Sequence, residues 1–439
     1  MLPKLTTGIP GPKSQSLSED LKKYECRNVT YTASDWPVFW QRAEGVNVWD
    51  ADGNRFLDLT AAFGVAGLGH GWSAQAMREQ SEQLIHGMGD VHPTSLKVDV
   101  CRKLSELTYE RWGAGQGKTI LSNSGSEAVE SALKTALMAT GKPGIVSFKN
   151  SYHGLGYGSL LGSGFERFRE PFESQLAPLR KVLDFPKGGL DDLAHLAVQL
   201  SELDPGQIGA MIVEPIQGRA GKLVPPDGFL GMLKSWCEAS GVMLIFDEIF
   251  TGFNRTGQLF ACEWENVVPD MICVGKSMSG GYPISACVGK ASVMDAWPES
   301  TGEALHTSTF LGNPVGCAMA VASLAEHAPN SMARQVQITG DKLKKELEKI
   351  DNALVLEIRG RGLMLGMELR HPDGSPAGDV AGTVLSDMLR RGIMMLADGP
   401  EGNVLAFTPP FALSDDEIEF VGHQLRNAIS SSQHQLAGR

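Results

Sequence analysis

Six short stretches of this chain are apolar almost without a break. They are Thr119-Ile120-Leu121, Gly144-Ile145-Val146-Ser147-Phe148, Ala210-Met211-Ile212-Val213, Met243-Leu244-Ile245-Phe246, Met271-Ile272-Cys273-Val274 and Ala286-Cys287-Val288. A strand with one wet face alternates polar and apolar residues. A continuous run must be covered on both faces, and the helix-length segments between these runs supply the covers. The pattern predicts an α/β chain built on a mainly parallel sheet with helices on either side. Upstream, Val46-Asn47-Val48-Trp49 and Arg55-Phe56-Leu57-Asp58-Leu59 flank the turn Asp50-Ala51-Asp52-Gly53-Asn54, a hairpin pattern. Downstream, a long helix over 330–350 leads into strands within 355–369, 393–396 and 404–407 and a helix over 381–391. A last helix opens at Ser414 with Glu417 three residues on, a capping box. At 439 residues the chain suits two lobes. We expect a tail and hairpin over 1–72, a large domain over 73–328 and an α+β domain over 329–439 that shares its core with the hairpin.

Polar residues stand where these runs end. Asp247 closes one strand, and Lys276, twenty-nine positions on, follows another. Open α/β sheets place their ligands at such carboxyl ends. A lysine there can condense with an aldehyde once its neighbours lower its pKa, and an aspartate can hold a pyridine nitrogen protonated. The same two residues would also serve as a helix cap and a solvated lysine. Ser122-Asn123-Ser124-Gly125-Ser126-Glu127 follows a strand and opens a helix, so its small residues leave backbone N–H groups free for a phosphate; capping by Ser124 or Ser126 is the plainer reading. Ser151-Tyr152-His153-Gly154 offers an aromatic face after the next strand.

These pieces occur in one order that resembles the class-III aminotransferases among the fold-type I pyridoxal-5'-phosphate (PLP) enzymes. The likeness runs from about Phe39 to Glu419. It is most specific over Asp247-Glu248-Ile249-Phe250-Thr251-Gly252-Phe253-Asn254-Arg255-Thr256-Gly257, followed by Pro269-Asp270 and Gly275-Lys276. Leu68-Gly69-His70, Gly125-Ser126-Glu127-Ala128, Tyr152-His153-Gly154, Glu214-Pro215-Ile216-Gln217-Gly218 and Thr309-Phe310-Leu311-Gly312-Asn313-Pro314 fall in the same sequence order. The resemblance implies a seven-stranded, mainly parallel sheet in the large domain. It also implies PLP as cofactor, a Schiff base on Lys276, and Asp247 paired with the pyridine nitrogen. Tyr152 and Ile249 would pack on the two ring faces, and Ser124, Gly125 and Ser126 would hold the phosphate. His153 and Glu214 would stand in the same cofactor-binding group, and Thr309 would reach the phosphate of a neighbouring subunit in a homodimer. The activity implied is amino transfer from an amino acid or amine to a keto acid, with Lys276 moving the proton.

Three departures bear on substrate. 4-Aminobutyrate and ornithine aminotransferases usually carry an arginine where Ala406 stands, before Pro409-Pro410, to clamp a carboxylate. They often carry a glutamate where this chain has Arg219, and a glutamine where it has Phe250. Arg219 is thus a candidate for anion recognition, or a plain surface residue. Phe63, Val65 and Trp36 are candidates for an apolar substrate wall, or plain core. A PLP-dependent racemase or epimerase on the same fold is the alternative reading, and a non-catalytic binding module a more distant one.

Composition excludes other classes. With 39 basic against 51 acidic residues the net charge is −12, so no basic excess favours nucleic acid or anionic membrane. The seven cysteines form no CxxC pair and read as reduced thiols, and no apolar window has signal-peptide or membrane-span character; we expect a cytoplasmic protein. The ten histidines show no metal-ligand spacing. Trp112-Gly113-Ala114-Gly115-Gln116-Gly117-Lys118-Thr119 mimics a P-loop but lacks its first glycine and precedes a strand.

Overall fold

The computed structural model describes residues 1–31 and 36–437, which divide into two units: Ser73–Val336, and Met1–Trp72 together with Gln337–Arg439. The helix Asn330–Glu348 runs across the second boundary.

The larger unit is organised by seven strands: β1 (Gly117–Ser122), β2 (Gly144–Phe148), β3 (Arg180–Leu183), β4 (Ile208–Val213), β5 (Met243–Asp247), β6 (Met271–Val274) and β7 (Ser285–Lys290). Their spatial order is β1-β7-β6-β5-β4-β2-β3. All pairings are parallel except those of β7, which runs antiparallel to both β1 and β6. The continuous apolar runs have the cause expected of them. Ile145, Ile212, Ile245, Met271, Cys273 and Cys287 pack on one face with Ala128, Val129 and Ala132 of the helix α1 (Gly125–Thr140). Val146, Met211, Leu244, Phe246, Ile272, Val274 and Val288 feed a second, larger cluster. Alternate residues of one strand thus bury in opposite directions, and each fully buried Ile or Phe contributes roughly 2–3 kcal/mol. β3 had no such run: its pattern Arg180-Lys181-Val182-Leu183 is that of an edge strand, with one face and one margin open.

This topology positions the chemistry. Asp247 lies level with Cys273 in the β5–β6 register, and Val213 level with Phe246 in β4–β5. The segments after β1, β2, β4, β5 and β6 therefore leave the sheet at one end, the end at which antiparallel β7 enters.

The other unit holds a four-stranded sheet made of Trp40–Glu44, Asn47–Asp50, Arg55–Asp58 and the parallel Ile393–Met394, so N- and C-terminal segments share one sheet. A second sheet combines Val355–Arg361, Met364–Leu369, Val404–Phe407 and Leu396–Asp398. The capping box forms: the Ser414 N–H donates to Glu417 Oε2 at 2.9 Å and the Glu417 N–H to Ser414 Oγ at 3.4 Å. No described helix is long and apolar enough to cross a membrane, and the described residues contain no cluster of metal-ligating side chains.

Candidate active site

At the end of β5, the buried Asp247 carboxylate is held on two sides. His153 Nδ1 approaches Oδ2 at 2.7 Å, and the Ile249 N–H donates to Oδ1 at 3.1 Å. His153 follows β2 and is buried, and its Nε2 has no hydrogen-bond partner. With a carboxylate at Nδ1, a proton belongs on that nitrogen. Glu214, just past β4, accepts the N–H groups of Tyr152 and Gly218, each at 2.9 Å. One carboxylate thereby fixes two loops, the one presenting Tyr152 and the one presenting Arg219. Burial raises the Glu214 pKa, and the Asp247 charge adds to that rise, while His153 and the two backbone donors offset part of it.

Lys276 follows β6 through Gly275 and adopts φ +45°, a left-handed conformation unusual for a side-chain-bearing residue. Its Nζ stands 4.2 Å from the centroid of the Phe250 ring. Burial depresses its pKa from 10.5 to about 8; the Asp247 and Glu214 carboxylates pull it up, and the Lys222 and Arg219 cations push it further down. The depressed value enlarges the fraction of amine that is uncharged, and so nucleophilic, near neutral pH.

Around this axis the sequence candidates separate by role. Ser124 is the N-cap of α1: its Oγ accepts from the Glu127 N–H at 3.2 Å, and its carbonyl accepts from Ser285 Oγ at 2.6 Å. The Ser126 hydroxyl is engaged with Ser159 Oγ at 2.6 Å and accepts from the Gly156 N–H at 3.0 Å, so Ser126 offers a ligand its backbone more readily than its side chain. The N–H groups of Gly125 and Ser126 lie in the first turn of α1, ahead of that helix's own bonding ladder. Half-buried Ile249 packs so near Gly125 that a Cβ there would fall 2.8 Å from Ile249 Cδ1. Thr309 is exposed. His306 contacts Ser131 and Lys134 further along α1 rather than its N-terminus.

Arg219 lies over Tyr152, its guanidinium carbon 4.7 Å from the ring centroid and 5.4 Å from that of Phe168. No carboxylate among the described residues pairs with it. Phe63, Val65, Trp36 and Ala406 belong to the smaller unit. Phe63 is 68% exposed with φ +61°, Val65 is half-buried, Trp36 packs on the Val48–Phe56 cluster, and Ala406 is buried in the sheet opposite Gly366 and Leu396. Two further participants escaped sequence reading: Phe168, which lies among ordinary polar residues, and Lys222, a fully buried lysine whose Nζ is 4.4 Å from the Phe250 centroid. A charge between Gly221 and Leu223 in an apolar loop was the only signal for the latter.

Gly154 brings its loop close against the first turn of α1. It adopts φ +112°, and a Cβ there would sit 2.7 Å from Ser126 Cβ. Gly154→Ala is expected to cost about 1–3 kcal/mol of stability from strain and overlap, read by denaturant unfolding against the wild type.

The class-III aminotransferase family model matches residues 30–429. A 4-aminobutyrate aminotransferase from Mycobacterium leprae is 34% identical over 435 residues, covering 94% of this chain and 95% of that one. An alanine/serine racemase from Pyrococcus horikoshii is 30% identical over 452 residues, covering 98% and 93%. Among solved structures, an ornithine aminotransferase from Toxoplasma gondii, with PLP at partial occupancy in its active site, superposes with a TM-score of 0.83 at 29% identity over 96% of this chain and 95% of that one. The family model's match over most of the chain, together with likeness in sequence and in fold, leads to one conclusion: this protein belongs to the class-III aminotransferases.

Proposed function

We propose that this aminotransferase uses pyridoxal 5'-phosphate bound covalently through Lys276, and that Arg219 receives a carboxylate of the substrate. The observation that carries the reading is the pairing of an amine whose pKa is depressed to about 8 with a buried, His153-buttressed carboxylate at the next strand end. The donor set fits the cofactor. Asp247 supports a protonated pyridine nitrogen, the first-turn N–H groups of α1 suit a phosphate, and Tyr152 and Ile249 supply surfaces for a flat ring. PLP supplies an electron sink that makes the substrate Cα–H acidic. Everything else would fall to the chain: Lys276, once displaced from the cofactor by the substrate amine, would take the Cα proton as a base and deliver it to C4', while Asp247 would keep the ring nitrogen charged. Exposed Thr309 and the neighbouring Phe310, 59% exposed, support a homodimer in which this segment faces a second copy.

Arg219 as an anion site rests on its geometry. Stacking on Tyr152 and Phe168 holds the guanidinium plane, and its N–H fork has no carboxylate among the described residues to satisfy it. Compared on the alkaline plateau, where the Lys276 amine is uncharged, Arg219→Ala is expected to lower kcat/KM for carboxylate-bearing substrates about ten- to hundredfold relative to simple amines. Equal kinetics for both substrate classes in the variant would remove the assignment.

A racemase reading keeps a place because the Pyrococcus horikoshii relative bears that name. It needs the same base but returns the proton to Cα. Absorbance spectra recorded with amino acids and amines added singly distinguish the two. Loss of the visible band, restored by a keto acid, is expected for transamination. A persistent band with solvent deuterium entering Cα and loss of optical purity would replace the proposal with racemisation.

A further inference from the structure

Lys222 is the charged residue of this site that nothing in the amino-transfer scheme explains. It is 1% exposed, it adopts φ +57° directly after Gly221 at φ +113°, and its N–H donates back to the Gly218 carbonyl at 3.1 Å. A lysine ammonium is costly to take out of water, and a left-handed backbone is costly for any residue with a Cβ. The loop bears both costs, and the outcome is an ammonium 4.4 Å from the Phe250 ring centroid, the ring that also carries Lys276 Nζ at 4.2 Å. Two amines thus share one phenyl ring. The negative π-face attracts a cation, so the ring holds both amines close to one another.

We infer that Lys222 is a positioning residue for the amine chemistry: a fixed cation, held against Phe250, that keeps the Lys276 amine uncharged and able to accept a proton while the site works. The inference rests on Lys276 being the reacting amine. The groups that act on Lys276 are Asp247 and Glu214, which favour its charged form, and Lys222 and Arg219, which oppose it. Without the two cations, the two carboxylates and the adjacent ring would tip the amine back toward ammonium. Of the cations, Arg219 is half-buried and suited to substrate, so its charge is neutralised whenever a carboxylate binds. Lys222 is fully buried and keeps its effect throughout turnover. A neighbouring cation is a known means of activating a lysine.

The test is the pH profile of kcat for the holoenzyme and its Lys222→Met, Lys222→Gln and Lys222→Arg variants. The wild-type acid limb is expected near the depressed value of about 8. Loss of the cation in the Met and Gln variants should move that limb upward by about one pH unit, a roughly tenfold loss at neutral pH with the alkaline plateau kept. Arg at this position should restore the wild-type limb. An unmoved limb in the Met and Gln variants, or a plateau loss without a shift, overturns the inference. Should neither neutral variant fold, competitive labelling of Lys276 in the wild-type chain, read by mass spectrometry against pH, decides: titration at the ordinary lysine value overturns it. Failure of the underlying assignment looks different, because Lys276→Ala would then keep its visible band and its turnover.

Discussion

Lys276→Ala is expected to abolish the visible absorption of bound cofactor and to lower turnover on the order of ten-thousandfold or more, while the protein stays folded. One amine does two jobs. As nucleophile it holds the cofactor, and as base it moves the substrate proton; a well-placed base alone is worth about 10²- to 10⁴-fold. Folding should survive because truncation removes a charge that burial disfavours: the depressed pKa means the folded state holds the ammonium less willingly than the unfolded chain does. The sign follows from that. With a folded value near 8 and an unfolded value near 10.5, wild-type Lys276 opposes folding below about pH 8, and the penalty fades as pH rises through the interval between the two values. The variant should therefore match or exceed wild-type stability at neutral pH, as read by thermal melts of the cofactor-free proteins. A variant that keeps the chromophore would move the reactive amine elsewhere, with Lys222 the first residue to examine.

The framework of this site was readable because strand ends announce themselves. Uninterrupted apolar runs marked six of the seven strands of the large sheet, and Ser122, Lys149, Glu214 and Asp247, directly after four of those runs, stand at the candidate-site end. What stayed hidden depended on partners distant in sequence. The helix Pro12–Tyr24 reads as a polar tail, since little of it is buried and Gly11 supplies no capping side chain. Its first-turn N–H groups are satisfied instead by Asp52, which accepts from Lys13 at 2.8 Å and Ser14 at 2.9 Å. No local pattern encodes a cap supplied from the hairpin turn. Glu248 likewise stands in the most recognisable motif, yet its work is structural. It accepts the Ala261 and Cys262 N–H groups, each at 2.8 Å, and pairs with Thr251, closing the loop that carries Ile249 and Phe250. Lys222 was the hardest to foresee, because a lone lysine in a loop is ordinarily solvated and only the fold shows it buried.

Asp247→Asn should be the second most damaging change, slowing turnover about 10²- to 10³-fold while leaving cofactor attached through Lys276. The amide is nearly isosteric, and its oxygen can still accept the Ile249 N–H, so the loss isolates charge from shape. The amide NH₂ would face His153 Nδ1, now as a donor. His153 must then carry its proton on Nε2, the buried nitrogen that has no partner, or turn away. Two effects on pH follow with definite signs. Loss of the carboxylate removes the strongest influence favouring the charged form of Lys276, so the acid limb of kcat should move below about 8, opposite to the shift expected on neutralising Lys222. The loss of rate should therefore be smaller in mildly acid solution than on the alkaline plateau, where amine protonation no longer matters and only the missing ring-nitrogen partner counts. Profiles of the single variants and of the Asp247→Asn, Lys222→Met pair separate these contributions. If both act on Lys276 through charge, the double variant's limb should return toward the wild-type position while its plateau stays low. A limb that moves upward in Asp247→Asn would mean that His153, and not the carboxylate charge, governs the protonation of the site.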